Sequence, residues 1–184
     1  MDFTEKVYLS YDLDDRREVE AFLTEFDFLN DSVLHRNFEE LPVDIVKNSD
    51  KHEVIHHLRE QFLKDSAVTL VLLGKCTFAK RAVDLELMAS LHGAGDVMAT
   101  AADRGNLPNG LVAVMLKSYE QNGFPDRLNE NLVVDERELP YAVVIPYPET
   151  KEVLAEAVQE AERRRRDKVP NNTPVMLLED KACL

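Results

Sequence analysis

The sequence predicts an α/β fold in which helices cover both faces of a mostly parallel sheet, forming a three-layer sandwich. Four short runs are apolar almost throughout, which is typical of strands buried on both faces. Between these runs, apolar residues recur every three or four positions, and such alternation of strands with helices favours a parallel sheet. The apolar runs are VYLSY (7–11), VTLVLLG (68–74), LVAVML (111–116) and YAVVIP (141–146).

The remaining elements are predicted from the same kinds of pattern. Apolar stripes predict helices over residues 15–26, 51–64, 79–92 and 149–167. A weaker strand is predicted within residues 28–36, where the polar composition favours the edge of the sheet. The polar segment 37–50 and the Gly/Asn/Pro-rich segment 93–110 are predicted loops, long enough to carry function.

Length and charge narrow the function classes. The 184 residues predict one α/β domain over 1–168 and a tail over 169–184, whose apolar run at 175–178 either docks on the domain or pairs with a partner. A formal net charge of −13 disfavours binding to nucleic acid and to anionic membranes, because phosphate groups need clustered cations. No apolar run is long enough to cross a bilayer, and we expect a cytoplasmic protein.

The spacing of the two cysteines says little about the structure. Cys76 and Cys183 are far apart in sequence and in different contexts. Their spacing predicts neither a disulfide framework nor a metal site.

The segment HEVIH, from His52 to His56, fits a zinc-hydrolase motif that needs two histidines on one helical face and a glutamate beside them. The buried stripe of this helix is defined by Val54, Leu58 and Phe62, so both histidines lie off it and face solvent. No third ligand has a recognisable spacing. We interpret the motif as a coincidence and expect no metal.

Phosphate-binding loops and phosphorelay sites are not predicted. The first strand is followed by DLDDRRE, which lacks the glycines of a dinucleotide or phosphate loop. Asp12, Asp14 and Asp15 could suggest a receiver's acidic pocket, but the third strand ends Gly74-Lys75-Cys76, without a phosphoacceptor aspartate. Helix-capping acids explain Asp14 and Asp15 better than they explain Asp12.

The run RRRR at 163–166 lies at the end of the last predicted helix. Cations are favourable there, and Glu160 and Glu162 precede Arg164 and Arg166 by four residues. A solvated helix end is favoured over a docking patch for an acidic partner.

The segment LLGKCTFAKRAVDLELMASL is where an α/β fold would build a site, because ligands bind beyond the carboxyl ends of the strands. Glu86 lies at the border of the apolar helical stripe, among small side chains. The pattern leaves open whether it is a surface residue or a functional group facing the crevice. Asp84 points elsewhere and is expected to be solvated.

Several segments in this order resemble the bacterial TIR-like domain family, and within it the TIR-like signalling subunits of the Thoeris antiphage defence system. The resemblance covers roughly residues 6–165. Its segments are VYLSYDLDD, DSV, VTLVLLGKCT, AVDLEL, GNLPNGLVAVML, FPDRLNENL and YAVVIPYP.

The resemblance implies a flavodoxin-like sheet of five strands in the order 2-1-3-4-5 and an enzyme that cleaves NAD at the nicotinamide–ribose bond. The family's catalytic glutamate lies in a W-[VC]-x-x-E-[LI] segment, and Glu86 is the matching position. Ala82 stands where the family has tryptophan, and the chain contains no tryptophan. Tyr11, Phe78 and Phe38 are candidates to replace this aromatic wall.

The resemblance also implies where the substrate lies. Three residues at the end of the first strand would line the crevice beside Glu86, and two residues after the third strand would reach diphosphate or ribose oxygens. These residues are Ser10, Tyr11 and Asp12, and Lys75 and Thr77, respectively. The loop 37–50 matches a family loop that completes the site on self-association, so a homo-oligomer is a further expectation.

The expected partners follow from this activity: NAD as substrate rather than cofactor, and a separate effector reached through a diffusible ADP-ribose-derived nucleotide. Two alternatives stay open. A non-enzymatic TIR-like adaptor acting by self-association is favoured by the missing tryptophan. An enzyme like the nucleoside deoxyribosyltransferases would also use a carboxylate at an N-glycosidic bond.

Overall fold

The computed structural model describes residues 6–27, 33–34, 51–93, 107–133 and 139–183. They form a sheet with the strand order β2-β1-β3-β4-β5, in which every neighbouring pair is parallel. The strands are β1 (Val7–Tyr11), β2 (Val33–Leu34), β3 (Val68–Leu73), β4 (Gly110–Met115) and β5 (Val143–Ile145).

The edge strand β2 is much shorter than the others. It consists of two residues, which pair with Val7 and Tyr8 of β1. The prediction of an α/β fold with a parallel sheet is confirmed, and the described strands follow the predicted order 2-1-3-4-5. Of the five predicted strands, only four are longer than a two-residue ladder in the described part of the chain. The sequence around β2 has few consecutive apolar residues, a composition that disfavours a long buried strand.

Helices cover both faces of the sheet, as predicted. Their bounds are α1 (Arg16–Glu25), α2 (Lys51–Leu58), α3 (Arg81–Leu91), α4 (Asp126–Glu130) and α5 (Lys151–Asp167). A π-helical turn, Arg59–Leu63, continues α2, and short 3-10 turns, Leu13–Asp15 and Thr77–Ala79, precede α1 and α3. Within the described ranges, no helix is long and apolar enough to cross a membrane.

Alternation along β1 divides its side chains between two cores. Val7 and Leu9 pack with α1 and α5 on one face of the sheet. Tyr8 packs on the other face, among residues of α2 and α3. Successive side chains of a strand point to opposite faces, so Ser10 shares the α3 side with Tyr8.

The strand β4 begins in direct contact with α5. A Cβ atom added to Gly110 would lie 2.3 Å from the backbone oxygen of Ala161. Only a residue without a side chain allows this approach between strand and helix.

The arginine run at the end of α5 is less solvated than predicted. The ion pairs Glu160–Arg164, at 2.8 Å, and Glu162–Arg166 form as expected. However, Arg164 is buried and donates to the carbonyl oxygens of Pro140 and Ala142, at 2.9 and 2.8 Å. These donors satisfy backbone acceptors just before β5, so this part of the run has a structural role that helical spacing does not reveal.

The tail docks on the domain, and Met176 of its apolar run packs against the core on the α3 side, whereas Val175 and Leu178 of the same run are exposed. Asn172 is buried and donates from its side-chain amide to the carbonyl oxygen of Met88 in α3, at 3.1 Å. Near the end of the chain, Cys183 forms a disulfide with Cys76, with Cα atoms 5.6 Å apart. The prediction that the cysteines form no disulfide was wrong, because the tail returns to the loop after β3.

Docking of the tail also buries Asp84, which was predicted to be solvated. Arg127 of α4 is fully buried and donates from Nε to Asp84 Oδ1 at 2.8 Å. The other carboxylate oxygen accepts the backbone N–H of Leu177 in the tail, at 2.8 Å. The expectation was wrong because it considered α3 alone, whereas both partners come from later in the chain.

Candidate active site

Glu86 lies in α3 with 5% of its surface exposed, and β1 provides hydrogen bonds to its carboxylate. Tyr8 donates its phenolic O–H to Oε1 at 2.8 Å. Ser10 donates its hydroxyl to Oε2 at 2.5 Å. Because Tyr8 and Ser10 are two residues apart in a strand, both point to the α3 side of the sheet. Each oxygen of the carboxylate therefore accepts a hydroxyl hydrogen bond from β1.

The three residues predicted to line the site at the end of β1 have different surroundings in the structure. Ser10 contacts Glu86 directly. Asp12 is buried and forms an ion pair with Lys80, just before α3, at 3.2 Å. Tyr11 instead packs against the core formed with α1 and α5, on the opposite face of the sheet. Because Tyr11 points to the opposite face, this position disfavours a contact between Tyr11 and a substrate beside Glu86.

Lys75 and Thr77, predicted to reach diphosphate or ribose oxygens, both have contacts within the protein. Lys75 is exposed and forms an ion pair with Glu120 at 3.2 Å. Thr77 is buried, and its hydroxyl oxygen accepts the backbone N–H of Gly74 at 2.8 Å, which caps the end of β3. Their role with a substrate stays a prediction.

Acidic side chains gather beside the site, where β1 meets α1. Burial and then the negative charges of Asp12 and Glu18 raise the pKa of Asp15 to about 6, against a smaller opposing effect of its hydrogen bond from Thr77. Burial lowers the pKa of Lys80, but hydrogen bonds with Asp14 and Asp12 outweigh it, so the pKa lies above its ordinary value. Lys80 is therefore a cation that this cluster holds next to α3.

The residues considered for the aromatic wall are partly placed. Ala82 is half-buried in the first turn of α3, one turn before Glu86 and hence on the same face. Phe78 is half-buried in the 3-10 turn that precedes α3. Phe38 and the loop 37–50 lie outside the described residues. A methyl group thus occupies the face of α3 where the family pattern has an indole.

The structure describes the side chain of one of the two histidines of the HEVIH motif. His56 is exposed on α2. Across the parts of the chain that the structure describes, no three His, Cys, Asp or Glu side chains are grouped closely enough to hold a metal ion.

Tyr8 and Lys80 were missed by the sequence reasoning. Tyr8 could have been found from the strand pattern, because a tyrosine in a fully buried strand needs a partner for its hydroxyl and shares a face with Ser10. Nothing in the local sequence points to Lys80, whose partners Asp12 and Asp14 come from the other side of the crevice.

Comparison with known families decides the relationship. Residues 8–106 match the family described as Thoeris protein ThsB, TIR-like domain. The chain belongs to the ThsB TIR-like family. The match spans β1 to the segment before β4 and therefore includes Tyr8, Ser10 and Glu86. The resemblance noted in the sequence is confirmed, and membership supports a role in antiphage defence. No curated protein gave a significant match.

Proposed function

We propose that this ThsB-family domain cleaves NAD and produces an ADP-ribose-derived nucleotide, linear or cyclic, as a signal in antiphage defence. NAD is the substrate, and no further cofactor takes part. The nucleotide would diffuse to a separate effector. The observation that carries the proposal is the buried Glu86 carboxylate, held by the hydroxyls of Tyr8 and Ser10 on the α3 side of the sheet.

The chemistry needs a carboxylate and little else. The nicotinamide of NAD is a cationic leaving group, so the bond between its ring nitrogen and the ribose C1′ breaks with both electrons moving to the nitrogen. A carboxylate near the ribose stabilises the positive charge that develops on the sugar. Burial of Glu86 supports this role, since electrostatic stabilisation is stronger where water is excluded.

The second step sets the product. Water, or a nucleophilic atom of the same ADP-ribose, adds to C1′ and loses a proton. An internal nucleophile held closer than water wins by proximity and gives a cyclic isomer. Two hydroxyls beside Glu86 support a site that can exchange hydrogen bonds with ribose hydroxyls, because hydroxyl groups both donate and accept.

The test measures NAD and its products by mass spectrometry in lysates of cells that make the wild type or Glu86→Gln, with and without phage infection. Glutamine keeps the shape of the side chain, and its amide can exchange hydrogen bonds with Tyr8 and Ser10. Glu156→Gln, an exposed position on α5, is the matched control. We expect infected cells that make the wild type or Glu156→Gln to lose NAD or gain an ADP-ribose isomer, and infected cells that make Glu86→Gln to do neither.

A non-enzymatic adaptor is the first alternative, and Ala82 at the family's tryptophan position favours it. Equal NAD levels in wild type and Glu86→Gln, with protection against phage intact in both, would establish the adaptor. Nucleosides are tested beside NAD, because a deoxyribosyltransferase-like enzyme would cleave them and leave NAD intact.

A further inference from the structure

The last residues of the tail form a strap across the segment that joins β3 to α3. We use the word strap for residues 178–183. Lys181 donates its backbone N–H to the carbonyl oxygen of Ala79 at 2.8 Å. Asp180 accepts the backbone N–H of Arg81 at 2.8 Å, at the first residue of α3. The strap ends at the disulfide between Cys183 and Cys76.

The tail before the strap is anchored differently. Arg127 donates to the backbone and side-chain oxygens of Asn172, at 3.1 and 2.8 Å, and to the carbonyl oxygen of Pro174 at 2.7 Å. Leu177 donates to the buried carboxylate of Asp84. These contacts centre on a fully buried guanidinium, and buried charge-assisted hydrogen bonds are strong.

Apart from its two hydrogen bonds with Ala79 and Arg81, the strap has only weak non-covalent contacts. Leu178 is 79% exposed, so it adds no apolar burial. The ion pair between Lys181 and Asp126 joins side chains that are 39% and 55% exposed, and pairs of this kind contribute little. The disulfide is therefore the main constraint that keeps the strap closed.

We propose that Cys76 and Cys183 form a thiol–disulfide exchange site whose reduction releases the strap, while the anchored part of the tail stays docked. Both cysteines are half-buried, so a small thiol reaches them. A thiolate of a dithiol reductant attacks one sulfur, and the other cysteine leaves as a thiolate. The second thiol of the reductant then displaces the first cysteine. Two protons end on the two cysteines, and the reductant leaves as a disulfide.

Release of the strap changes the charge beside the site, and this consequence rests on the proposed function. Asp180 lies 3.9 Å from the ammonium of Lys80, at the start of the helix that carries Glu86. A closed strap therefore holds a carboxylate where the anionic diphosphate of NAD would approach, and like charges repel. We expect the reduced protein to have the lower KM for NAD.

The experiment compares amide hydrogen exchange of the full chain with and without dithiothreitol, and alkylation counts free thiols by mass. The double variant Cys76→Ser/Cys183→Ser serves as a strap that is open in both conditions. We expect reduction to lower the protection of the Lys181 amide at least tenfold and that of the Leu177 amide less than twofold. The double variant should match reduced wild type without any reductant.

Two results would overturn the proposed release of the strap: unchanged protection of the Lys181 amide on reduction, or two alkylated cysteines in the unreduced protein. The KM for NAD is measured in the same samples and in Asp180→Asn, which removes the charge and keeps the disulfide. An equal KM in all of them refutes the effect on the site. Absence of NAD turnover in every sample contradicts the proposed function. Hydrogen exchange still tests, independently of turnover, whether reduction releases the strap.

Discussion

Replacing Arg127 by methionine should destabilise the fold strongly. The side chain is fully buried and donates hydrogen bonds to Asp84, Asn172 and Pro174. Methionine fills a similar length with no donor, so the carboxylate of Asp84 stays buried after its guanidinium partner is lost. Removal of one partner from a buried ion pair costs about 3–5 kcal/mol.

The magnitude can be placed near 4 kcal/mol. The bond to the backbone oxygen of Pro174 is only partly buried, so water can replace part of what that oxygen loses, which keeps the cost below the sum of the individual bonds. With a urea dependence of about 2–3 kcal/mol per M, this cost lowers the unfolding midpoint by roughly 1.3–2 M. Both proteins are measured in the oxidised state, so that the disulfide contributes equally.

Arg163→Met is the matched control. Arg163 also forms two carboxylate ion pairs, with Glu160 and Asp167, but its side chain is 54% exposed. Exposed ion pairs contribute little because solvent screens them, so the midpoint of Arg163→Met should stay close to that of the wild type. If Arg127→Met fails to fold, Arg127→Lys, which keeps the charge but not the planar fork, takes its place. Equal midpoints for the Arg127 and Arg163 variants would refute the reasoning.

Two further predictions concern the site. Tyr8→Phe and Ser10→Ala each remove one hydroxyl that donates to the Glu86 carboxylate. Because hydrogen bonds to charged groups contribute about 1.5–3 kcal/mol, kcat for NAD should fall about 10–100-fold in each variant. Steady-state product formation measures this fall. A turnover number equal to that of wild type would exclude a role for these hydrogen bonds. Asp15 has a pKa raised to about 6, so the folded protein holds its proton more tightly than the unfolded chain, and the free energy of unfolding should fall as pH rises from about 4 to about 6. Asp15→Asn should lack this fall and should be more stable than the wild type above pH 6 by about 1 kcal/mol, a value discounted for partial exposure. Urea unfolding across this pH range measures the free energy of unfolding of both proteins. Parallel pH dependences for the two proteins would contradict the prediction.

The fold was largely predictable because a strand that is buried on both faces has a nearly continuous apolar sequence. β3 is buried at every residue and reads as the continuous apolar run VTLVLL. The same argument fails for β2, where two paired residues leave no such run. The five-residue α4 was not predicted either, since fewer than two turns show no repeating stripe.

The site was predictable only where a local pattern carried it. The family segment selected Glu86, and strand order brought β1 next to α3. Contacts across long separations were out of reach: Tyr8 precedes Glu86 by 78 residues, and Arg127 follows Asp84 by 43. Helical spacing compares a residue with neighbours on its own helix, so Asp84 looked solvated until the tail and α4 were placed. The disulfide was missed for the same reason.

The two buried acids of α3 differ in what holds them, and this difference bears on which of them can take part in chemistry. Asp84 accepts from a fixed guanidinium and from a backbone N–H, neither of which can turn away without breaking the packing of the tail. Glu86 accepts from two hydroxyls, which rotate about their C–O bonds and can accept as well as donate. A ribose hydroxyl could therefore replace or extend the hydrogen bonds of Glu86 at small cost, whereas any ligand of Asp84 would have to displace a buried cation. The geometry thus favours Glu86 as the acid available to a substrate and Asp84 as the acid that ties α3 to the tail.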